Sequence, residues 1–384
     1  MKSKKTEKEF YKNGQLKLRA EVRGGKRNGF YERFDKNGLL IEKGKYKNGN
    51  EDGVFEKYLS YLDGPGNLRQ ITIVSDNFKE GEKNGYSEEF YSTGQILKRT
   101  NYKNDKKEGI FESFFKAGPI KMKGQYKNDK KDGSWLTFYQ NGQTQCKQSY
   151  KDGLKDGSYE FYDLGILVSR GTYKKGEKHG LQEMYDSGVL ISKENYKDGK
   201  ANGDYELFRS SGELSEKGKK KNHLKDGICE TFYPNGILET RSNFKSNLLE
   251  GYRETYFVNG LIKSKENYSQ GNKNGAYQQY DENGILRIDE NYKDSERDGI
   301  SLRFSGLGEL SIKGKWFRGT KIGLFEYFRQ GLLDRTIEWK DGEATPWKNG
   351  KRIKKDFYDS DLDFEDIEPC YDEEYPGYDE DIPF

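Results

Sequence analysis

A glycine returns along this chain at Gly29, Gly53, Gly85, Gly109, Gly133, Gly157, Gly180, Gly203, Gly227, Gly251, Gly275, Gly299 and Gly323. The spacing is 24 residues except for one gap of 32 and two of 23. A fixed period of this length marks a repeat architecture, in which each unit covers its apolar surface only against its neighbours. The long gap is an insertion of eight residues around Tyr61 to Asn67.

Residue types at fixed distances from each glycine identify the element. An aromatic stands five residues on in all thirteen cases, from Phe34 and Tyr58 to Phe304 and Phe328, and Glu stands three residues on in ten of them. Side chains alternate across a strand, so offsets +1, +3 and +5 share one face and +2 and +4 the other. A second glycine follows about nine residues later, often as Asn-Gly or Ser-Gly (Asn37-Gly38, Asn141-Gly142, Ser187-Gly188, Asn235-Gly236). Such pairs accept the positive φ of a hairpin turn. A second strand then opens on Leu or Ile and closes on an aromatic, as in Leu40 to Tyr46 or Ile262 to Tyr268. Polar basic loops such as KNDKKEG lead to the next unit.

Each unit thus reads as a β-hairpin. The expected fold is all-β, an elongated single-layer antiparallel meander of about 13–14 hairpin repeats of period 24, roughly 120 Å long at ~4.8 Å per strand. Composition agrees: 32% hydrophobic residues, 35% charged and a mean hydropathy of -1.13 exclude a thick core, while 14% aromatics exclude a solvated coil. The expected divisions are a basic lead at 1–9, the array at 10–350 and an acidic, aromatic-rich tail at 351–384.

The sequence offers little for chemistry. Cys146, Cys229 and Cys370 are odd in number and widely separated, which favours a reducing compartment over a disulfide framework. His179 and His223 have no metal-spaced neighbour and read as plain loop residues. No apolar stretch approaches the ~18–20 residues of a membrane span, and the first residues do not read as a signal peptide. A cytoplasmic, non-enzymatic chain without cofactor or metal is expected. The recurring glutamates are expected to pair with lysines of the adjoining strand.

Charge is unevenly placed. After Lys355 there are thirteen carboxylates and no Lys or Arg in 29 residues, so the preceding residues carry +16, from 68 cations against 52 anions. Seven rings interleave those carboxylates, including Tyr358, Phe364 and Tyr371. A purely solvated tail has few rings, so Asp361, Asp363, Glu365, Asp366, Asp372, Glu373 and Glu374 read as a docking segment for a basic surface. That surface is either this chain's own ribbon or the phosphate channel of a nucleic-acid-binding partner. The lysines at hairpin ends, Lys106, Lys107, Lys130 and Lys131 among them, guard the strand ends. Stacked at one period, they would also form a positive stripe. The rings at offset +2, Tyr31, Phe55, Phe111, Trp135, Tyr159, Tyr205 and Tyr277, either pack on neighbouring strands or stay accessible as partner anchors.

The segments FYQNGQ at 138–143, FYPNGIL at 232–238, YKDGLKDG at 150–157 and GEKHG at 176–180 resemble MORN repeats of the bacterial two-strand variant. The resemblance covers about residues 10 to 350. Many proteins of this variant are similar to YwqK-type antitoxins, so it implies a non-enzymatic inhibitor that blocks a protein partner such as a toxin or a nuclease. MORN arrays also serve as scaffolds, and the alternative is direct binding of nucleic acid or anionic membrane through the lysine stripe. No catalytic residue is carried over from the repeat.

Overall fold

A computed structural model describes residues 3–62, 68–340, 342–348 and 351–352. The acidic tail, with Asp361 to Glu374, therefore lies outside the described residues. The chain divides into two units, one comprising residues to Ile262 with Tyr268–Gly271, the other Lys263–Asn267 with the residues from Asn272 onward. Among the described residues all regular structure is β-strand. Within each unit, strands pair antiparallel with the strands before and after them in sequence. The basic lead is already part of this meander, because Lys4–Phe10 pairs with Leu16–Arg23.

Two turn types alternate, and their chemistry fixes the period. At Asp35–Leu39, Gly38 N–H donates to Asp35 O (3.1 Å), Asp35 N–H donates to Leu39 O (2.8 Å), and only Gly38 has positive φ, at 83°. This is a three-residue loop closed by a left-handed glycine. The connections read from sequence as basic loops are tighter, with just two turn residues. Asn104 and Asp105 both have positive φ (51° and 60°), as do Asn48 and Gly49, the geometry of a two-residue turn matched to strand twist. The second residue of such turns also straps one hairpin to another. Asp105 Oδ1 accepts from Lys83 N–H and Asp129 Oδ1 from Lys107 N–H, both at 2.8 Å.

The two 23-residue gaps follow directly. Leu164-Gly165 and Ser187-Gly188 replace the three-residue loop by a two-residue turn with both φ values positive, and one residue drops out of the period. The eight-residue insertion falls partly outside the described residues, but the two strands on either side of it are together longer than those of other hairpins. Strands Gly53–Leu62 and Leu68–Lys79 stay in register through Leu59–Ile71, Ser60–Gln70 and Tyr61–Arg69, so the described part of the insertion extends the pairing of one hairpin.

The periodic glycine sits at a break in register, as between Lys107 and Phe111. Gly85 has φ 107°, and a Cβ there would lie 3.2 Å from Asn77 Cβ. That asparagine sits close because its Nδ2 donates to Tyr86 O at 2.8 Å, a bond repeated from Asn195 to Asp204 O and from Asn267 to Ala276 O, while Asn101 and Asn243 donate to the carbonyl before the glycine, Glu108 O and Glu250 O.

The thin core lies on the +2 face. Tyr31, Phe55, Trp135, Tyr205, Tyr277 and Phe325 are buried there, and Trp135 is only 3% exposed. Small residues make room for the larger rings. A methyl group on Gly124 would lie 2.3 Å from Trp135 Cδ2, and one on Gly44 would lie 2.5 Å from Phe55 Cδ1. Overpacking of this kind destabilises, which explains glycine in mid-strand where φ makes no demand.

Candidate interaction surface

The two faces of the sheet divide the expected site residues between them. On the +2 face, the rings that the sequence leaves as either packed on neighbouring strands or accessible to a partner are packed, and form the core. Tyr31, Phe55, Trp135, Tyr205 and Tyr277 are buried, and Phe111 and Tyr159 are half-buried against Trp135 (5.4 Å between ring centroids) and Tyr173 (5.1 Å). Burial beats presentation here because rings on adjoining strands leave water by covering one another.

The basic pairs at hairpin ends split as well. Lys106 and Lys130 are exposed, but Lys107 and Lys131 fold back over the core. Lys107 Nζ stands 5.0 Å from the centre of the Tyr126 ring, and Lys131 Nζ stands 4.3 Å from that of Trp135 and 4.8 Å from that of Tyr150. Burial, and then the nearby Lys155 charge, push the Lys131 amine below its usual pKa. The same position recurs as Lys155 over Tyr173, Lys178 over Tyr196 and Lys273 over Tyr277. These ammonium groups are lids on aromatic faces, with stems that cover apolar surface.

The opposite face carries the recurring glutamates, which pair as expected with cations of the adjoining strands. From Lys147 to Glu254 the register places Lys147, Glu160, Arg170, Glu183, Lys193, Glu206, Lys217, Glu230, Arg241 and Glu254 side by side on successive strands. Lys147–Glu160 is 2.8 Å and Lys217–Glu230 is 3.0 Å, and Arg170 contacts Glu183. Four of these five cations also cover the ring two residues beyond their glutamate, among them Lys147 over Tyr162 at 5.4 Å and Lys217 over Phe232 at 5.3 Å. Hydrogen bonds from Lys43, Lys147 and Arg170 hold Glu56, Glu160 and Glu183 below the ordinary carboxylate range. Such groups stay ionised as ion-pair partners.

This ladder predicts an acid limb of stability. Glutamates with depressed folded pKa values bind protons more readily when unfolded, so their contribution is present above about pH 4.5 and is lost as pH falls through the folded values. The urea midpoint should therefore fall between pH 5 and pH 3. Glu183→Gln should flatten that fall while leaving the slope against urea unchanged, and a midpoint independent of pH would remove the ladder from the stability account.

Two further rows on this face were legible in the sequence only once the register was known. Six residues before each periodic glycine stands Arg23, Lys47, Lys79, Lys103, Lys127, Lys151, Lys174, Lys197, Lys221 or Lys245, in ten successive units, all exposed. One residue after the glycine stands an apolar residue in most units. Val54, Tyr86, Ile110, Leu181, Ile228 and Tyr252 are all more than 40% exposed, with Tyr252 at 76%. Ile110 pairs with Gln125 and Lys127 closes the same strand, so the apolar row runs beside the basic one, two residues further in.

Other features are quiet. Cys229 is buried and Cys146 half-buried, both are free thiols, and burial raises the pKa of each. His223 is the second residue of a two-residue turn, with its ring against Tyr196, and His179 Nδ1 lies 3.8 Å from Asp198. Among the described residues, no group of three or more His, Cys, Asp or Glu side chains is placed to hold a metal ion, and no helix is long and apolar enough to cross a membrane.

Five stretches of the chain, residues 5–22, 83–104, 131–152, 225–246 and 273–294, match the MORN repeat variant family. No curated protein matches the sequence. Among solved structures, the chain is similar to the crystal structure of TcdB2-TccC3, at 10% identity and a TM-score of 0.17 over 90% of this chain. It is also similar to the Photorhabdus luminescens Tc holotoxin pore, again at 10% identity, a TM-score of 0.17 and 90% of this chain. The chain spans only about a quarter of these proteins' length, 24% and 23%.

Proposed function

We propose that this chain is a non-enzymatic binding protein that blocks a protein partner, in the manner of an antitoxin or immunity protein, by covering it with the ladder face. The observation that carries this reading is the exposed apolar row at offset +1. The ladder charges beside it are already paired with one another, so the net attraction of this face comes from its apolar side chains. Val, Ile, Leu and Tyr aligned at one register position suit the apolar patches of a protein, not phosphates. The basic row at its margin adds electrostatic steering toward an acidic surface. A toxin or a nuclease is the partner class that the repeat variant suggests, and free thiols suit a cytoplasmic setting.

Partner capture from a nuclease-treated lysate tests this. Ile110→Asp with Ile228→Asp should lower capture by about tenfold or more, as removal of central apolar contacts does at protein interfaces. Both side chains are solvent-exposed, so the urea midpoint should hold. Capture that disappears on nuclease treatment and persists in the double variant would sink the reading. That result would favour the rival, a scaffold that binds nucleic acid or anionic membrane through its lysines, for which the unbroken run of ten cations speaks.

A further inference from the structure

We propose that one stretch of the ring face, from strand Ile96–Lys103 to strand Gly180–Asp186, docks an extended acidic segment of a partner protein that also carries apolar side chains. The inference goes beyond the reading above, because it concerns the face opposite the ladder and holds whatever the ladder face covers.

Three observations lead to it. The first is a gap in charge pairing. Two residues before the periodic glycine, most repeats place a cation over the rings, and in several of them the residue seven before that cation holds its charge. Asp76 bonds Lys83 at 2.9 Å, Glu290 bonds Arg297 at 3.2 Å and Glu266 lies 3.9 Å from Lys273. For Lys107, Lys131, Lys155 and Lys178 the residue seven before is Thr100, Gly124, Gln148 or Gly171. These four lysines have no ion-pair partner among the described residues, and they stand in successive hairpins about 10 Å apart. Burial and the Lys155 charge both disfavour the charged Lys131 amine, and no carboxylate offsets them.

The second is an apolar row on the same face. Met122, Thr137, Cys146, Phe161, Ser169 and Met184 lie opposite one another on successive strands, without a charge among them. Phe161 is 38% exposed and Met184 51%. In earlier repeats the same register positions hold ion pairs, Arg33 with Glu42 and Lys98 with Glu89, both at 2.9 Å. The lysines and this row therefore run together as a positive band with an apolar margin.

The third is what the band refuses. A single strand of nucleic acid binds by stacking its bases on open rings, but the largest ring here, Trp135, is 3% exposed and lies beneath Lys131. Carboxylates on an apolar-bearing polypeptide satisfy both halves of the band, and methionines adapt to varied apolar partners. An extended segment of about ten residues spans the four lysines.

Alkylation of Cys146 in the full chain, read by mass spectrometry with Cys229 as reference, tests the proposal, because Cys146 stands in the apolar row between Thr137 and Phe161. The readout is the ratio of rates with and without a probe. A random glutamate–tyrosine copolymer should slow Cys146 about fivefold or more at low salt, as an occupant removes the thiol from solvent. Polyglutamate of the same length should protect about threefold less, because it leaves the apolar margin uncovered. Lys107→Met, Lys131→Met and Lys155→Met together should abolish the protection while their stems go on covering the rings. Lys103→Gln, Lys127→Gln and Lys151→Gln, which remove equal charge from the ladder face, should leave it in place. Phe161→Ser with Met184→Ser, both at exposed positions, should keep the urea midpoint and reduce the copolymer to the level of polyglutamate. A copolymer that does not slow Cys146 overturns the proposal, and so does protection that survives in the Lys→Met variant or falls equally in the ladder-face variant. Equal protection by an oligothymidylate of matched charge also overturns it, because that describes a surface for polyanions at large.

Discussion

Trp135→Ala should cost about 3–5 kcal/mol, the range for deleting a large buried ring, and should break cooperative unfolding at that point of the array. The indole is the centre of a local stack. Phe111 stacks on it at 5.4 Å with the ring planes 30° apart, Tyr126 meets it edge-on at 5.1 Å, Tyr150 does so at 6.2 Å, and Lys131 Nζ covers it at 4.3 Å. Its Nε1–H donates to Gln125 O at 3.1 Å, and Gly124 leaves the space it occupies. In a compact globule, neighbours from other layers would relax into such a hole. In a single-layer sheet there are none, and water enters instead. Hydrogen exchange should show the strands from Ile96 to Leu154 losing protection first, before the repeats on either side. Trp135→Phe should recover much of the loss, because a ring still fills the space above Gly124. A change below about 1 kcal/mol with a single unfolding transition would show that the rows do not couple the repeats.

The second large effect is expected in the other unit. Glu290 is a carboxylate only 1% exposed, and four donors saturate it. Oε1 accepts from Arg303 Nη2 at 2.7 Å and Ser301 Oγ at 3.1 Å, and Oε2 accepts from Tyr292 OH at 3.0 Å and Arg297 Nε at 3.2 Å. Removing one member of a buried ionic network typically costs about 3–5 kcal/mol, because the remaining charges lose their partner where water cannot replace it. Both arginines are about a third exposed here, so partial rehydration places the expected loss for Glu290→Ala near the lower end of that range. Glu290→Gln, which keeps the shape and two acceptor sites, should lose less. If Glu290→Met leaves the urea midpoint unchanged, the network sets which residues pair and adds nothing to stability over an apolar filler.

Glu290 also shows where sequence reading stops. The glutamates at +3 lie on the exposed face and recur at constant spacing, so their pairing with cations follows from strand alternation alone. Glu290 belongs to a different row, nine residues before its glycine, where other repeats place Gly44, Gly124, Gln148 or Ser242. What that position must hold depends on the ring opposite. Gly124 faces a tryptophan, whereas Glu290 faces Ser301, which leaves room for a carboxylate and its arginines. Only three-dimensional contact reveals this exchange of volume.

The lysines make the same point. Lys130 and Lys131 are adjacent and chemically identical, and the sequence treats them as one basic pair. The strand sends one outward into water and folds the other onto Trp135. Conversely, the row from Arg23 to Lys245 is spelled out at a fixed offset, but its meaning needed the register that places it beside Ile110 and Ile228.

The repeat, the strands, the turn positions and the pairing of the glutamates are legible in the sequence, because each follows from interactions within one hairpin or between successive ones. Tertiary structure decided which face of the sheet is core. The rings at +2 and those at +5 alternate equally well on paper, and only packing across several strands shows that the first set is buried beneath lysine lids and the second lies along the ion-pair ladder. The assignment is collective: a ring leaves water only when its neighbours on both adjoining strands supply surface to cover it.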